Sequence, residues 1–302
     1  MDELTAAGIT DPKLRASYEA CKKLNAEHGK TYFLATLLLP KEKRPHVHAL
    51  YGFARFADEI VDDLASTLSP VEKAAKLRQW SENLLADLEK GVSTDHIGMA
   101  LVSTVQQFQI PLDYFRAFIH SMEMDLTVKN YRDFEALHEY VYGSAAVIGL
   151  QMVHVLGTIE NRKSEALYAA EKLGIAFQLA NFIRDVGEDL DRGRIYLPLD
   201  ELAQHGISEE MLYKRTITPE IVSALQFQIE RVRRLQAEAA EGIKFLPPEA
   251  RPCIEAASEL YCGIVDEVEK INYQVFTRRA KTSTARRLGV AFSAWMRALA
   301  AR

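Results

Sequence analysis

Residues 178–198 read Q-L-A-N-F-I-R-D-V-G-E-D-L-D-R-G-R-I-Y-L-P, and this stretch decides how the chain folds. At ~100° per residue, an α-helix brings Gln178, Asn181, Asp185, Asp189 and Arg192 into one stripe, with Glu188 at its edge and Arg184 further round. Ala176, Leu179, Ala180 and Ile183 supply apolar flanks, which suits a buried central helix. Gly187 inside that helix costs about 1 kcal/mol relative to alanine, so tight packing or the close approach of a ligand is expected there.

Around this segment no proline occurs between Pro111 and Pro198, and apolar residues recur at three- and four-residue spacing. Strong helix formers dominate and strand-like alternation is scarce, so the chain reads as all-α. Helices are expected near 12–28, 43–63, 70–90, 95–109, 112–130, 133–157, 162–191, 217–246, 249–276 and 284–300, with an irregular loop over 192–206. Neither a repeat nor a linker divides residues 1–302, which points to one domain.

The 302 residues carry 37 basic and 42 acidic side chains, a net charge of −5, with 48% hydrophobic and 26% charged residues. That balance excludes global disorder and argues against nucleic acid as a partner. Three cysteines without paired spacing suit a reducing compartment. With an N-terminus lacking a signal peptide and no membrane-length apolar run, the expectation is a cytoplasmic protein with room for peripheral membrane contact.

A second acidic segment is Y-G-F-A-R-F-A-D-E-I-V-D-D, residues 51–63. Tyr51, Arg55, Asp58 and Asp62 share one helical stripe, again with carboxylates four apart. A solvated acidic face would explain either segment alone. Both have apolar flanks, however, and carboxylate pairs facing a cavity require counter-charge. Hard divalent cations bind through a few carboxylates plus substrate phosphates. Two facing pairs would therefore grip a diphosphate, as ionisation of an allylic diphosphate inside an apolar cavity requires.

These two D-x-x-x-D segments, and above all N-F-I-R-D-V-G-E-D-L-D-R-G-R-I-Y-L-P, resemble the squalene/phytoene synthase family from about His28 to Arg287. Y-V-Y-G-S-A-A-V-I-G-L-Q-M, residues 140–152, is most similar to the bacterial phytoene synthase branch. The resemblance implies a single-domain isoprenoid synthase helical bundle with a central cavity. It implies Asp58, Asp62, Asp185 and Asp189 as holders of Mg²⁺, with Mn²⁺ as the alternative. It implies Thr31, Arg55, Gln178, Asn181, Arg184, Arg192 and Arg278 around the substrate diphosphate, and Tyr51, Tyr142 and Tyr261 near the reacting centre. Gly29 stands where the family has a serine, Glu59 where a second aspartate is usual, and Ser144-Ala145-Ala146 departs from an alanine-glycine-threonine run.

The implied reaction joins two prenyl diphosphates head to head through a cyclopropylcarbinyl diphosphate, giving phytoene from geranylgeranyl diphosphate with no NADPH. Two other readings stay open: a farnesyl-using enzyme making dehydrosqualene, squalene or presqualene diphosphate, and a catalytically silent binding factor. Small residues at Ala35, Thr36, Gly143, Ser144, Ala145, Ala146 and Gly149 either leave room for a longer tail or let helices pack closely.

Oligomeric state is not encoded in any of these features. Glu135-x-x-His138 and His46-x-His48 read as structural rather than metal-binding. Leu288, Phe292, Trp295, Met296 and Leu299 share one face of the last helix, expected to dock on the core, with insertion into a membrane interface as the rival.

Overall fold

The computed structural model describes residues 1–62, 68–159 and 161–301, apart from the side chains of Lys30, Thr31 and Asp62. Among the described residues the architecture is all-α, with a lone parallel bridge between Asn130 and Ile195 in place of any strand. In chain order the helices are α1 (Glu3–Ala6), α2 (Pro12–His28), α3 (Lys30–Thr36), α4 (Arg44–Asp62), α5 (Pro70–Lys90), α6 (Gly98–Phe108), α7 (Leu112–Thr127) and α8 (Phe134–Val141). A π-helical turn, Tyr142–Ala146, leads into α9 (Val147–Leu156), α10 (Lys163–Asp191), α11 (Leu199–Gln204) and α12 (Glu209–Tyr213). The chain finishes with α13 (Pro219–Ile243), α14 (Arg251–Cys262), α15 (Ile264–Lys270) and α16 (Thr284–Ala300).

Local chemistry sets many of these ends. Ser69 and Glu72 form a reciprocal capping box ahead of Pro70, and Gly91 closes α5 in the left-handed region at φ 74°. Asp11 and Thr218 cap α2 and α13, each followed by proline at the first helical position. Among the described residues nine of the ten expected helical segments are present, the one over 133–157 with a π turn inside it and the one over 43–63 ending outside the described residues at 63. The one expected over 249–276 is broken at Gly263, where a β-carbon would lie 2.5 Å from the Glu259 carbonyl and 2.8 Å from the Arg286 guanidinium. The expected loop over 192–206 instead holds α11 and strand-like bonds, Ile195 N–H donating to the Lys129 carbonyl at 2.8 Å and Leu199 N–H to that of Tyr131 at 3.0 Å.

Helix α10, 29 residues and so about 44 Å long, is the axis of the molecule. It packs on α13, α9, the π turn, α14 and α15, and its buried residues, from Ala166 to Leu190, lie on more than one face. A second apolar cluster lies on the other side, where Phe53 and Ala57 of α4 meet Phe115 and Phe118 of α7. The two clusters meet around Tyr142, which packs against both. Cys21, Cys253 and Cys262 are buried thiols, each pushed up to about 12 chiefly by burial. Among the described residues no helix is long and apolar enough to cross a membrane.

The last helix overturns one expectation. Its docking stripe on α14 is Val290, Ala294 and Ala298, all small and buried, whereas Leu288, Phe292, Trp295, Met296 and Leu299 are 47–65% exposed. Small residues let α16 lie close to α14, and the larger apolar face is left looking outward.

Candidate active site

Both acidic segments open onto one cavity of about 380 Å³. From α4 it receives Tyr51, Ala54, Arg55 and Asp58, which three- and four-residue spacing places on one face. Arg55 donates from Nη1 to Asp58 Oδ2 at 2.8 Å and from Nε to Glu59 Oε1 at 3.0 Å. These are within-helix ion pairs on half-exposed side chains, worth only about 0.3–0.5 kcal/mol each. The side chain of Asp62 lies outside the described residues, as does that of Thr31. At Gly29 a β-carbon would lie 2.7 Å from the ring of Tyr51, so the serine usual there would clash with this tyrosine as placed.

From α10 the cavity receives Gln178, Asn181, Arg184, Asp185 and Asp189, with Arg192 at the helix C-cap. Burial pushes the Asp185 carboxyl up, but hydrogen bonds from Arg184 and Arg279 outweigh it and hold the group below its ordinary value. Arg184 Nε donates to Oδ1 at 2.7 Å, and Arg279 makes a bidentate pair from Nε and Nη2 at 2.9 and 3.0 Å. Asp189 is the opposite case. Burial, reinforced by the charge of Asp185 one turn away, pushes it up to about 7.

Gly187 explains how Arg279 arrives. A β-carbon there would sit 2.7 Å from the Val275 carbonyl oxygen and 2.9 Å from that of Phe276, so only glycine lets this irregular segment lie flat on α10. Close packing, rather than a ligand, is what this residue serves. Arg278, the arginine named from the sequence, is exposed and does not line the cavity. Arg279 is likewise exposed and outside the lining; it differs from Arg278 in pairing with Asp185, and a segment without helical periodicity gives no local signal for that.

Five further polar residues line the cavity, of which the sequence named only Ser144, among the small residues that would leave room for a tail. They are Asp125 of α7, Tyr140 of α8, Ser144 of the π turn, and Arg194 and Tyr196 just beyond α10. Arg194 and Tyr196 lay within the quoted segment 178–198, where the G-R-I-Y run was the available signal. Asp125 carried none beyond being an acid in an apolar stretch. Two of the three named tyrosines do not line the cavity. Tyr142 stacks near His138, ring centroids 6.5 Å apart, and packs into both apolar clusters. Tyr261 stacks on Tyr32 at 5.2 Å, and Tyr32 in turn lies 6.2 Å from Tyr51, so an aromatic row leads from Tyr261 to the cavity. Burial raises the phenol of Tyr261.

Most of the small residues serve packing. β-Carbons at Gly143 and Gly149 would come within 2.1 Å of the Ala117 carbonyl and 2.6 Å of the Ala170 carbonyl. The Thr36 hydroxyl donates to the Tyr32 carbonyl and the Ala35 carbonyl accepts from the Cys253 thiol; of the whole set only Ser144 lines the cavity. His46 and His48 are buried, each held down to about 4 chiefly by burial, and bond to Tyr18, Thr104 and Asn25. No cluster of three acids, histidines or cysteines close enough to hold a metal occurs among the described residues. The donor chemistry nonetheless fits a hard divalent ion: Asp58, Asp185 and Asp189 present oxygen to one chamber, and the strained anion at Asp189 is what a cation would relieve.

A model of the squalene/phytoene synthase family matches residues 25–286. Phytoene synthase 1 of Solanum lycopersicum is 39% identical over 279 residues, 91% of this chain and 66% of that protein. Phytoene synthase of Arthrospira platensis is 37% identical over 282 residues, 90% of each; the 15-cis-phytoene synthase of Synechococcus elongatus is 38% identical over 285 residues, 91% of each. The chain thus spans about two thirds of that plant relative and about nine-tenths of the cyanobacterial ones. Among solved structures, a dehydrosqualene synthase bound to a ligand superposes with a TM-score of 0.84 at 26% identity, covering 97% of this chain and 98% of that one. A squalene synthase from Alicyclobacillus acidocaldarius shares the fold with a TM-score of 0.80 at 24% identity, over 89% of this chain and 98% of that one. With a family match across most of its length, and both aspartate motifs opening onto one chamber, the chain belongs to the squalene/phytoene synthase family.

Proposed function

We propose that residues 1–302 act as one prenyltransferase unit that condenses two molecules of geranylgeranyl diphosphate to phytoene. The observation that carries this is the convergence of Asp58, Asp185 and Asp189 with Arg55, Arg184, Arg192 and Arg194 on one chamber whose inner wall is apolar at Ala54, Phe118, Met122 and Phe182. Identities of 37–39% with phytoene synthases support the twenty-carbon substrate over the fifteen-carbon one.

The residues divide the chemistry between charge and shelter. Asp58, Asp62, Asp185 and Asp189 would hold Mg²⁺, whose charge would offset that of the diphosphate leaving group. Arg55, Arg184, Arg192 and Arg194 take up charge on the departing oxygens, and Gln178 and Asn181 fix the head group by hydrogen bonding. One substrate ionises, and the C2–C3 double bond of the other attacks the allylic cation. Proton loss closes the cyclopropylcarbinyl diphosphate. A second ionisation, rearrangement and proton loss then give the hydrocarbon, while the apolar wall excludes water from both cations.

Purified protein is to be incubated with Mg²⁺ and either farnesyl or geranylgeranyl diphosphate, with and without NADPH, and the products weighed by mass spectrometry. A C40 hydrocarbon that forms without NADPH is expected. A C30 product would redirect the reading to a dehydrosqualene or squalene synthase, and no product from either substrate would favour the silent binding factor.

The outward face of α16 supports a second proposal, docking on an anionic bilayer into which an oily product can pass. Five exposed apolar side chains lie on a helix that carries no acid; of its arginines Arg286 pairs with Asp266 and Glu267 and Arg297 with Glu255, so the apolar face, with Arg287 near its start, is what would meet a membrane interface. The protein is expected to co-sediment with anionic vesicles at low salt, and Phe292→Ala with Trp295→Ala to abolish this. Failure of the wild type to bind would discard the proposal, and dimerisation through this face would replace it.

A further inference from the structure

Asp125 sits at the end of α7, 8% exposed, where a lone carboxylate would be strongly disfavoured. Both of its oxygens are engaged. Tyr140 Oη donates to Oδ2 at 2.9 Å and Tyr196 Oη to Oδ1 at 3.1 Å, with Arg194 Nη1 3.9 Å from Oδ1. Arg194 also donates from Nη2 to the Asp125 carbonyl at 2.9 Å and from Nη1 to Tyr196 Oη at 3.3 Å. The bridge of Ile195 to Asn130 pins the loop that carries Arg194 and Tyr196. Tyr196 lies flat on Phe182, centroids 4.1 Å and planes 6° apart, and Tyr140 is 5.6 Å from Tyr196. Asp125, Tyr140, Phe182, Arg194 and Tyr196 all line the chamber.

This arrangement resolves two difficulties that a carbocation chamber poses. A bare carboxylate would be alkylated by the cation it stabilises; here both oxygens are capped by donors. A phenol with its proton free could act as an acid toward the polyene. Burial and the neighbouring anion keep both phenols protonated, and both protons point at Asp125. The chamber wall here consists of aromatic rings with the Arg194 guanidinium beside them, and the Asp125 carboxylate behind offsets that guanidinium, leaving the ring quadrupoles and the buried anion to favour a cation.

We propose that Asp125 is a positioning residue that builds and polarises this wall, and that the wall lowers the barrier to the second ionisation, the conversion of the cyclopropylcarbinyl diphosphate to hydrocarbon. No bond to Asp125 forms and no proton leaves it. The C–O bond of the intermediate breaks with its electron pair on the departing diphosphate, and the wall stabilises the cation left behind. The proposal rests on the reading of the chain as a head-to-head prenyltransferase.

The test compares wild type with Asp125→Asn and with the double variant Tyr140→Phe/Tyr196→Phe, which keeps both rings. Each is assayed with geranylgeranyl diphosphate and Mg²⁺ for kcat, KM and the ratio of accumulated cyclopropyl diphosphate to C40 hydrocarbon. Expected are a KM within about twofold of wild type, a kcat lower by about 10- to 30-fold, and a rise of at least tenfold in that ratio, reversed in part by Asp125→Glu. A purely structural role would lower Tm and the active fraction without changing the ratio. If Asp125→Asn does not melt cooperatively, the double phenylalanine variant decides. An unchanged ratio, or a loss confined to KM, overturns the proposal while leaving the prenyltransferase reading intact. Wild type yielding neither compound overturns both.

Discussion

Arg55 neutralises Asp58 and Glu59 from within its own helix, one turn away and half in solvent, whereas Asp185 is clamped by Arg279, 94 residues distant in sequence. The same D-x-x-x-D spacing therefore has two different electrostatic lives. On α4 Asp58 and its neighbour Glu59 are balanced within their own helix by Arg55. On α10 burial splits the pair: Asp185 is held ionised by two guanidiniums, while Asp189 is pushed up to about 7 by burial and by its neighbour's charge. Strain at the second motif is charge that a bound cation would relieve, so α10 is where metal, protonation and stability should be coupled.

The sharpest break of this comparison is Asp189→Asn. Turnover is expected to fall by at least ~10³-fold, measured as phytoene formed per enzyme, while the metal-free protein becomes more stable. The folded pKa lies above the ordinary 3.8, so the folded state holds the proton longer and stability declines as pH rises from about 4 through 7. Asparagine removes that decline. Thermal melts in chelator should show the variant's Tm above wild type at pH 8 and equal to it near pH 4. Asp58→Asn, by contrast, should lose comparable activity with Tm unchanged at both pH values. Parallel melting behaviour in the two variants would erase the distinction between the motifs.

Gly187→Ala probes the mechanical half of the contrast. The added methyl meets two backbone carbonyls that have no side-chain freedom, so about 1–3 kcal/mol of stability should be lost. Because the same segment delivers Arg279, the loss should exceed that of Arg279→Ala, which removes the clamp but leaves the packing. Equal values by denaturant titration would mean that packing and clamp act as one.

These two helices also show what could be read from the chain before its fold was known. Spacing of three and four placed Asp58, Arg55, Asn181, Asp185 and Asp189 correctly on inward stripes, because within a helix the geometry is local. Helix ends such as Ser69 to Gly91 were legible for the same reason, each being capped by its own neighbours. Asp125 and Tyr140 were not, since a buried acid becomes a site residue only when α7, α8 and the loop beyond α10 converge, and no local pattern records that. The pairing of Arg279 with Asp185 was not legible either, because it joins positions 94 residues apart through a segment without a period. The outward turn of α16 was missed because hydrophobicity alone marks a face, and the smaller Val290, Ala294 and Ala298 stripe allowed the closer approach to α14.

A milder test concerns metal affinity. A divalent ion that uses Asp189 must displace its proton below pH 7, so apparent affinity should weaken by about tenfold per pH unit under that value and level off above it. Calorimetry at pH 6 in buffers of different ionisation enthalpy should report close to one proton released per site. An affinity independent of pH between 6 and 7.5 would mean that the ion rests on Asp58 and its neighbours alone, reversing the assignment of the strained pair.

The smallest effect isolates the local motif. Glu59→Gln removes one exposed partner of Arg55 and one anion 3.8 Å from His28. Since Asp58 still accepts from Arg55 at 2.8 Å, stability should change by no more than about 0.5 kcal/mol and turnover by no more than about threefold. A loss approaching that of Asp58→Asn would show Glu59 to be more than a pairing partner: it would place this residue, which stands where the family usually has an aspartate, among the groups that hold the metal.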